Sequence, residues 1–278
     1  DLKGKKLWQT SVGSSSSRKR WGSSSSPIIH GDLVFINALQ EGHKIFALNK
    51  ADGKIAWQWG PDAYSSYQDA YGTPSLVKAK DKTELVLAVP GEIWSFDAKK
   101  GNITWYAYTN VGAGRGNVSP SAITGGDALY VFGGRPGSGL AVKLGGNGEV
   151  KESGKLWTSR NSPYVATPVY HEGHLYWMDR SGYAVCLNAS TGREAFRERL
   201  KSSSRTPQFY ASPVVVDGKI ISVSRNAGAF VLEAKPKFKQ LAQNTFASDR
   251  SVFNASPAVS NGRLFLRSDT HLYCVAGE

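Results

Sequence analysis

The sequence predicts an all-β protein, a six-bladed β-propeller of four-stranded antiparallel blades. Two markers predict this fold: a Ser-Pro or Thr-Pro dipeptide and a small residue in a later apolar run, each recurring about every 45 residues. In addition, each repeat holds short apolar runs separated by turn sequences. Such periods are typical of propellers and solenoids. The dipeptides begin at Ser26, Thr73, Ser119, Thr167, Ser212 and Ser256.

Each repeat is interpreted as four strands in succession. The dipeptide leads into a first run such as "VVV" (214–216), where proline is tolerated because it lies at the start of a strand. A turn such as "DGK" (217–219) leads into a second run such as "LYVF" (129–132). The third run, such as "YAVCLN" (183–188), ends in a turn such as "ASTGR" (189–193). The fourth run ends on a large apolar residue, which is Trp57, Trp105, Trp157, Phe196 or Leu241.

The number of blades follows from the two ends of the sequence. The sixth repeat ends after its third run, whereas the first residues, "DLKGKKLW", have the Gly4–Trp8 spacing of a fourth strand. We therefore expect residues 1–10 to complete the sixth blade and close the ring, which leaves no open edge strand. Residues 1–278 are then a single domain. Its blades are expected to start near residues 24, 71, 117, 165, 210 and 254.

Composition excludes several classes of protein. No run of about 18 apolar residues is present, so no transmembrane helix is encoded. The two cysteines, Cys186 and Cys274, cannot supply a four-ligand metal site, and we expect both to be buried thiols in separate blades. The net charge of +12 predicts affinity for an anionic partner.

Arginines recur in step with the repeat. One set precedes the Ser/Thr-Pro dipeptide and another follows the second strand, and both positions lie at the same end of an up-and-down blade. We call this end the top face. The arginines are Arg20, Arg115, Arg135, Arg160, Arg180, Arg205, Arg225, Arg250 and Arg267. With Trp21, Tyr71 and Tyr210 in the same loops, they are the candidate ligand-binding residues, because guanidinium groups bind oxyanions and stack on aromatic rings.

Two interpretations of these arginines stay open. In one, three or more of them form an anion-binding site on the top face. In the other, they pair with acids of neighbouring blades and hold the blades together. Asp179, Asp249 and Asp269 lie close to three of them in the sequence.

No catalytic or metal site is apparent. His171 and His174 of "HEGH" bound a turn and lack further ligands. The glycine-rich segments 112–116 and 133–139 open no helix, so neither is a phosphate-binding loop of the P-loop type. An enzyme that acts on acidic polysaccharide would need a general base, for which only Tyr71, Tyr164, Tyr210 or His43 can be proposed.

Three segments resemble the repeat of pyrroloquinoline-quinone-type propellers: "ALNKADGKIAW" (47–57), "SFDAKKGNITW" (95–105) and "CLNASTGREAF" (186–196). That repeat occurs in quinoprotein dehydrogenases and in the lipoprotein propeller that assists outer-membrane protein assembly. The whole chain also resembles repeat proteins of planctomycete-type bacteria. The dehydrogenases are typically eight-bladed, with an adjacent Cys-Cys disulfide and a calcium ion held by acidic and amide ligands. Because no two cysteines are adjacent here, the resemblance implies a cofactor-free propeller with a binding or scaffolding role.

We therefore expect a non-enzymatic, extracytoplasmic propeller, periplasmic or secreted, whose leader is absent from this sequence and which a lipid anchor would hold at a membrane. It is expected to be a monomer that binds a protein partner or an anionic ligand, such as an acidic glycan, a carboxylate or a phosphate compound. Nucleic acid is not favoured, because no recognition motif is present. The alternatives are a quinoprotein-like oxidoreductase that binds pyrroloquinoline quinone, and an enzyme that acts on acidic polysaccharide.

Overall fold

The computed structural model of the protein describes residues 1–15, 19–60, 66–79, 82–114, 116–133, 138–203, 205–246 and 248–276. Within them lie 24 strands and two short 3₁₀ turns, Ser66–Asp69 and Glu152–Gly154. The strands form six sheets, one for each repeat of the sequence. The all-β fold is thereby confirmed.

The first three blades follow one another along the chain. The first consists of β1 (Ile28–His30), β2 (Leu33–Ala38), β3 (Lys44–Asn49) and β4 (Ile55–Trp59). The second consists of β5 (Ser75–Ala79), β6 (Lys82–Val89), β7 (Glu92–Asp97) and β8 (Ile103–Tyr108). The third consists of β9 (Ile123–Gly125), β10 (Ala128–Gly133), β11 (Ser138–Lys143) and β13 (Lys155–Ser159). The intervening β12 (Gly148–Glu149) pairs in parallel with β8.

The last three blades repeat this antiparallel order. The fourth consists of β14 (Val169–His171), β15 (His174–Met178), β16 (Tyr183–Asn188) and β17 (Glu194–Arg199). The fifth consists of β18 (Val214–Val216), β19 (Lys219–Ser224), β20 (Gly228–Glu233) and β21 (Gln240–Asn244). The sixth has three strands, β22 (Ala258–Ser260), β23 (Arg263–Arg267) and β24 (Leu272–Ala276).

Two-residue turns join the first and second strands of several blades. In the fifth blade Val216 pairs with Lys219, and the two residues between them, Asp217 and Gly218, have φ values of 48° and 67°. Positive φ at both central positions gives a turn whose twist matches that of the strands it joins. This geometry accounts for the Asp-Gly, Glu-Gly and Asn-Gly pairs that recur at this place in the sequence.

The hydrophobic core lies between blades. Five clusters of buried apolar side chains each join two consecutive blades. In one of them, Val86 and Trp105 of the second blade pack with Leu129 of the third. Phe132 of the third blade likewise lies 5.5 Å from Trp177 of the fourth, between ring centroids. Each blade therefore depends on its neighbours to remove its faces from water.

Tryptophans of the fourth strands pack on glycines of the following blade. Trp57 lies against Gly101 and donates its indole N–H to the carbonyl of Ala98 at 3.0 Å. Trp157 repeats both contacts, with Gly192 and with Ala189 at 2.8 Å. A Cβ atom at Gly101 would come within 2.5 Å of the Trp57 ring, so a side chain has no room there. The Trp and Gly of the repeat are thus packing residues.

The predicted closure of the ring is not confirmed. Residues 1–10 form no strand, and within the described part of the chain no backbone hydrogen bond joins them to β24. Leu272 of β24 is 71% exposed. Trp8 instead packs against Gly53 of the first blade and donates to the carbonyl of Lys50 at 2.9 Å. Trp8 therefore makes the contacts of a fourth-strand tryptophan without the strand pairing that was predicted for it.

The two cysteines have different surroundings. Cys186 is buried, and burial raises the pKa of its thiol to about 12, although a hydrogen bond with Tyr176 opposes the shift. The prediction of a second buried thiol was wrong, because Cys274 is exposed. It lies on β24, which pairs with β23 alone among the described strands.

Within the described residues no helix is both long and apolar enough to cross a bilayer.

A glycine substitution tests the packing between blades. We expect Gly101→Ala to lose about 1–2 kcal/mol to its positive φ and about 1–3 kcal/mol more to displacement of Trp57. The control is Gly173→Ala, whose φ of 77° matches the 76° of Gly101 but whose added Cβ would meet nothing within 4 Å. Urea unfolding measures both variants. Equal losses of unfolding free energy in the two variants would contradict the packing role.

A thiol titration tests the difference between the cysteines. Because the thiolate is the reactive form, a thiol with a raised pKa in a buried site reacts slowly. We expect one equivalent of a disulfide reagent to react with the native protein at pH 8, at Cys274, and two equivalents to react in urea. Cys274→Ser should abolish the native reaction, and a second fast thiol in the native protein would contradict the burial of Cys186.

Candidate functional site: the axial pocket and the arginine cleft

Serine and threonine residues form a hydrogen-bonded arc through all six blades. At each step, a backbone N–H of one blade donates to a side-chain oxygen of the next blade. Because the same position is joined from blade to blade, the arc surrounds the propeller axis. The donors are the N–H groups of Ser26, Thr73, Ser121, Thr167 and Ser212, and the acceptors are the hydroxyls of Thr73, Ser121, Thr167, Ser212 and Ser256, at 3.0, 3.0, 2.9, 2.9 and 2.9 Å.

The third blade departs from the alignment of the Ser-Pro dipeptides. The hydroxyl of the arc belongs to Ser121, which follows Pro120, and not to Ser119. Ser119 accepts a hydrogen bond from the side-chain amide of Asn117 at 2.7 Å. The alignment that placed Ser119 at the position of Thr73 and Thr167 was therefore wrong by two residues. The second serine of "SPSA" (119–122) could have indicated the alternative alignment.

A cavity of about 650 Å³, which we call the axial pocket, lies inside this arc. All six blades contribute to it, which identifies its position as the mouth of the central channel. The prediction named Trp21, Tyr71 and Tyr210 as ligand-binding residues and Tyr164 as a candidate general base, and it missed the others. Its lining is Trp21, Ser24, Tyr71, Thr73, Ser119, Ser121, Tyr164, Val165, Thr167, Tyr210, Ser212 and Ser256.

Aromatic residues form two pairs in the axial pocket. The ring centroids of Trp21 and Tyr71 lie 5.1 Å apart, and those of Tyr164 and Tyr210 lie 6.0 Å apart. Both separations are in the range of favourable aromatic contacts. The pocket therefore combines flat apolar faces with hydroxyl groups, as small-molecule sites commonly do.

Cations lie over three of these rings. Arg180 is 5.2 Å from the Tyr164 centroid and Arg225 is 4.3 Å from the Tyr210 centroid, distances at which a guanidinium group is attracted to the ring. The Arg225 Nε also donates to the side chain of Asn254 at 2.8 Å. On the opposite pair, Lys19 lies 5.1 Å from the Trp21 centroid. The axial pocket therefore has a positively charged rim.

Three predicted arginines share a second cavity, of about 640 Å³, between the fifth and sixth blades. Arg205 comes from the loop after β17, Arg225 from the turn between β19 and β20, and Arg250 from the loop after β21. Phe246 and Phe253 supply apolar surface in the same lining. We call this cavity the arginine cleft. Strand polarity places all three loops on the top face.

The structure does not group the remaining arginines with these. Arg180 borders a small cavity with Tyr210, and Arg160 lines a separate one beside β11 and β13. Arg20 and Arg267 are exposed and line none of the cavities described here. Two further predicted site residues, Arg115 and Arg135, lie outside the described residues.

Two of the acids near these arginines in the sequence have other partners. Asp179 pairs with Arg197 of the fourth strand at 2.7 Å, and not with Arg180. The carboxylate of Asp249 accepts hydrogen bonds from Ser251 and Tyr273, each at 2.7 Å. Within the described part of the chain, none of the predicted arginines forms an ion pair with an acid. In the described part of the chain, Arg205, Arg225 and Arg250 therefore form no ion pair with an acid.

Asp249 is the one acid in the lining of the arginine cleft. Hydrogen bonds from Ser251, Ser268 and Tyr273 lower the pKa of its carboxyl group well below the usual 3.8. The same contact with Asp249 raises the pKa of Tyr273. The carboxylate therefore stays ionised at neutral pH and orders the loops that carry Arg250 and the end of β23.

A metal-supported quinone needs side chains that hold its metal ion. No group of three or more His, Cys, Asp or Glu side chains is placed to hold a metal ion in the ranges given above. The lining of the axial pocket contains no acidic or amide side chain of the kind that the resemblance to quinoproteins implies for calcium. The residues present therefore do not fit a calcium-supported pyrroloquinoline quinone.

These features define a class of protein: a β-propeller with a pocket on its axis and arginines on its top face. The family model described as "Outer membrane protein assembly factor BamB" matches residues 1–162 and 150–237, which is most of the chain. The protein belongs to this family.

Individual relatives agree with this assignment. The BamB of Salmonella typhimurium is 24% identical over 209 residues, which is 74% of this chain and 47% of the relative. The chain thus spans about half the length of this curated relative. The crystal structure of BamB from Moraxella catarrhalis superposes with a TM-score of 0.71 at 15% identity, covering 96% of this chain and 74% of the other.

An enzyme of related fold also matches. The quinohemoprotein alcohol dehydrogenase of Comamonas testosteroni superposes with a TM-score of 0.61 at 12% identity. The match covers 84% of this chain and 44% of the enzyme. At this identity the likeness shows the propeller fold alone.

The lowered pKa of Asp249 predicts a pH dependence of stability. A group whose pKa is lower in the folded state stabilises the fold above its unfolded pKa, and this contribution disappears as the pH falls. We therefore expect Asp249→Asn to be less stable than the wild type at pH 7, with the difference shrinking below about pH 4. Unfolding free energies from pH 3 to 7 measure this. Asp32→Asn, at a fully exposed acid, is the control, and a pH-independent deficit at Asp249 would contradict the prediction.

Proposed function

We propose that this protein is a non-enzymatic scaffold that binds an acidic protein partner in the assembly of outer-membrane proteins. Its place of action is the periplasmic side of the outer membrane. Membership of the BamB family supports the pathway, and the arginine cleft supports the mode of binding. The observation that carries the proposal is the convergence of three arginines without acid partners in one cleft.

The chemistry of the cleft suits an acidic protein surface. Guanidinium groups bind carboxylates with two parallel hydrogen bonds, and arginine is enriched at the energetically important centres of interfaces. Phe246 and Phe253, whose ring centroids are 4.9 Å apart, add an apolar contact beside the charges. Charge complementarity raises the rate of association and makes binding sensitive to salt.

The oxidoreductase alternative has less support than a scaffold function, because it would need calcium and quinone ligands that the described lining of the axial pocket lacks.

A pair of triple variants tests the proposal. Arg205→Ala/Arg225→Ala/Arg250→Ala removes three charges from the cleft. The matched control, Arg193→Ala/Lys219→Ala/Arg263→Ala, removes three charges from exposed residues at the opposite ends of the strands. Each is introduced into a strain that lacks the native copy, and the amount of folded outer-membrane protein is measured by heat-modifiable gel mobility.

We expect the strain without the protein to assemble less outer-membrane protein, the control to restore assembly, and the cleft variant to fail. The cleft variant should keep its melting temperature within a few degrees, because no ion pair is broken. Unchanged assembly in the strain without the protein would overturn the pathway. Full restoration by the cleft variant would overturn the cleft as the binding site.

A further inference from the structure

The hydroxyls of the axial arc have an unused hydrogen-bond donor. A serine or threonine hydroxyl can donate one hydrogen bond and accept two. Each of the five arc hydroxyls accepts a backbone N–H from the preceding blade, and within the described residues none donates to a protein group. Their O–H groups are therefore available to a ligand. The residues that carry them are Thr73, Ser121, Thr167, Ser212 and Ser256.

A sixth hydroxyl in the same pocket has the same character. Ser119 accepts from Asn117, and its O–H has no acceptor in the described part of the chain. Ser24 differs, because it donates to the backbone carbonyl of Tyr71 at 3.0 Å. A hydroxyl that accepts a hydrogen bond becomes a stronger donor, since chains of hydrogen bonds polarise one another. The axial pocket is thus a ring of donors.

Among the described residues, the lining of the pocket has no acidic side chain, and Arg180 and Arg225 lie over the rings of Tyr164 and Tyr210 at its rim. Outside the lining, Asp69 accepts a hydrogen bond from the Tyr71 hydroxyl at 3.2 Å and is paired with Lys19 at 3.4 Å. Donors together with a positive rim favour an oxyanion.

The size and the surfaces of the pocket indicate what kind of molecule carries the oxyanion group. About 650 Å³ is within the range of small-molecule sites. The donors come from five successive blades, so a ligand satisfies them only with acceptors around its whole circumference. A polyhydroxylated ring offers such acceptors, and its apolar faces can pack against aromatic side chains. Trp21, which is 57% exposed, presents such a surface.

We propose that the axial pocket binds a sugar-sized ring that carries a carboxylate or a phosphate group. This goes beyond the scaffold function, because it assigns a small-molecule ligand to the hydroxyls of the axial pocket, which the protein partner does not need, and shares only Arg225 with the arginine cleft. The arc hydroxyls donate to oxygens around the ring, and the charged group lies towards Arg180 and Arg225.

Calorimetric titration of the full chain tests this, with four sugars in matched pairs. Galacturonic acid is compared with galactose, and glucose 6-phosphate with glucose, while inorganic phosphate reports on the anion alone. We expect at least one acidic sugar to bind at least about tenfold more tightly than its neutral partner and than inorganic phosphate, since charge-assisted hydrogen bonds are the stronger ones. Binding of galacturonic acid would identify a carboxylate as the charged group of the natural ligand, and binding of glucose 6-phosphate would identify a phosphate.

Variants locate the binding. Ser119→Ala removes a donor without touching the arc, and Thr167→Val/Ser212→Ala removes two donors of the arc. Both should weaken binding, the double variant by at least about tenfold. Ser212→Thr keeps the hydroxyl and should bind like the wild type. Ser75→Ala is the structural control, because Ser75 donates to Ala122 between the second and third blades at 2.6 Å but does not line the pocket.

Several outcomes would overturn the proposal. Binding of neither acidic sugar, or equal binding of the neutral sugars, would exclude an oxyanion site. Binding of inorganic phosphate as tight as that of glucose 6-phosphate would exclude a role for the ring. If Ser119→Ala and the double variant, with wild-type melting temperatures, bound like the wild type, the ligand would lie outside the axial pocket. Because the readout is direct binding, a failure here is separate from a failure in outer-membrane assembly.

Discussion

The contact between neighbouring blades is the interaction on which the rest of this structure depends. A single four-stranded sheet has two apolar faces, and most of the buried side chains lie where two sheets meet. A fourth-strand tryptophan on a glycine closes the outer part of the contact at Trp57–Gly101 and Trp157–Gly192. A backbone N–H bound to the hydroxyl of the next blade joins the inner part. The axial pocket is bordered by this inner contact, which recurs at the five junctions from the first blade to the sixth.

Much of the fold could be predicted because its determinants are local and repeated. The turn glycines, the prolines and the apolar runs each reflect a constraint that operates within about ten residues. The predictions that failed depended on contacts between distant residues. Ser119 was aligned with the repeat because it precedes a proline. The residue that occupies the repeat position is Ser121, which is hydrogen-bonded to residues 48 and 46 positions away. Cys274 was expected to be buried like Cys186. It is exposed, because β24 pairs with β23 on one side and with no described strand on the other.

The candidate site could be predicted less well, because the partners of charged side chains come from distant segments. Asp179 is adjacent to Arg180 in sequence but binds Arg197, whose strand runs beside the turn. The sequence predicted that Arg205, Arg225 and Arg250 lie on the same face of the propeller. It could not show that Arg205, Arg225 and Arg250 meet in one cleft, since that depends on how far each loop extends. The hydroxyls of the axial pocket belong to the most regular feature of the repeat. They were interpreted as markers of the repeat, and their place in a pocket was not predicted.

The direction of the hydrogen-bonded arc has a consequence for how such proteins change over evolutionary time. At each of the five junctions from the first blade to the sixth, a blade offers an N–H to the hydroxyl of the blade that follows it, so these junctions are chemically alike. A duplicated or deleted blade would meet its new neighbours with complementary groups already in place. Gene duplication can therefore alter the circumference of the ring, and with it the width of the central opening, without inventing a new junction. Divergence is left to the loops of the top face, where a change of side chain alters what is bound and leaves the junctions intact.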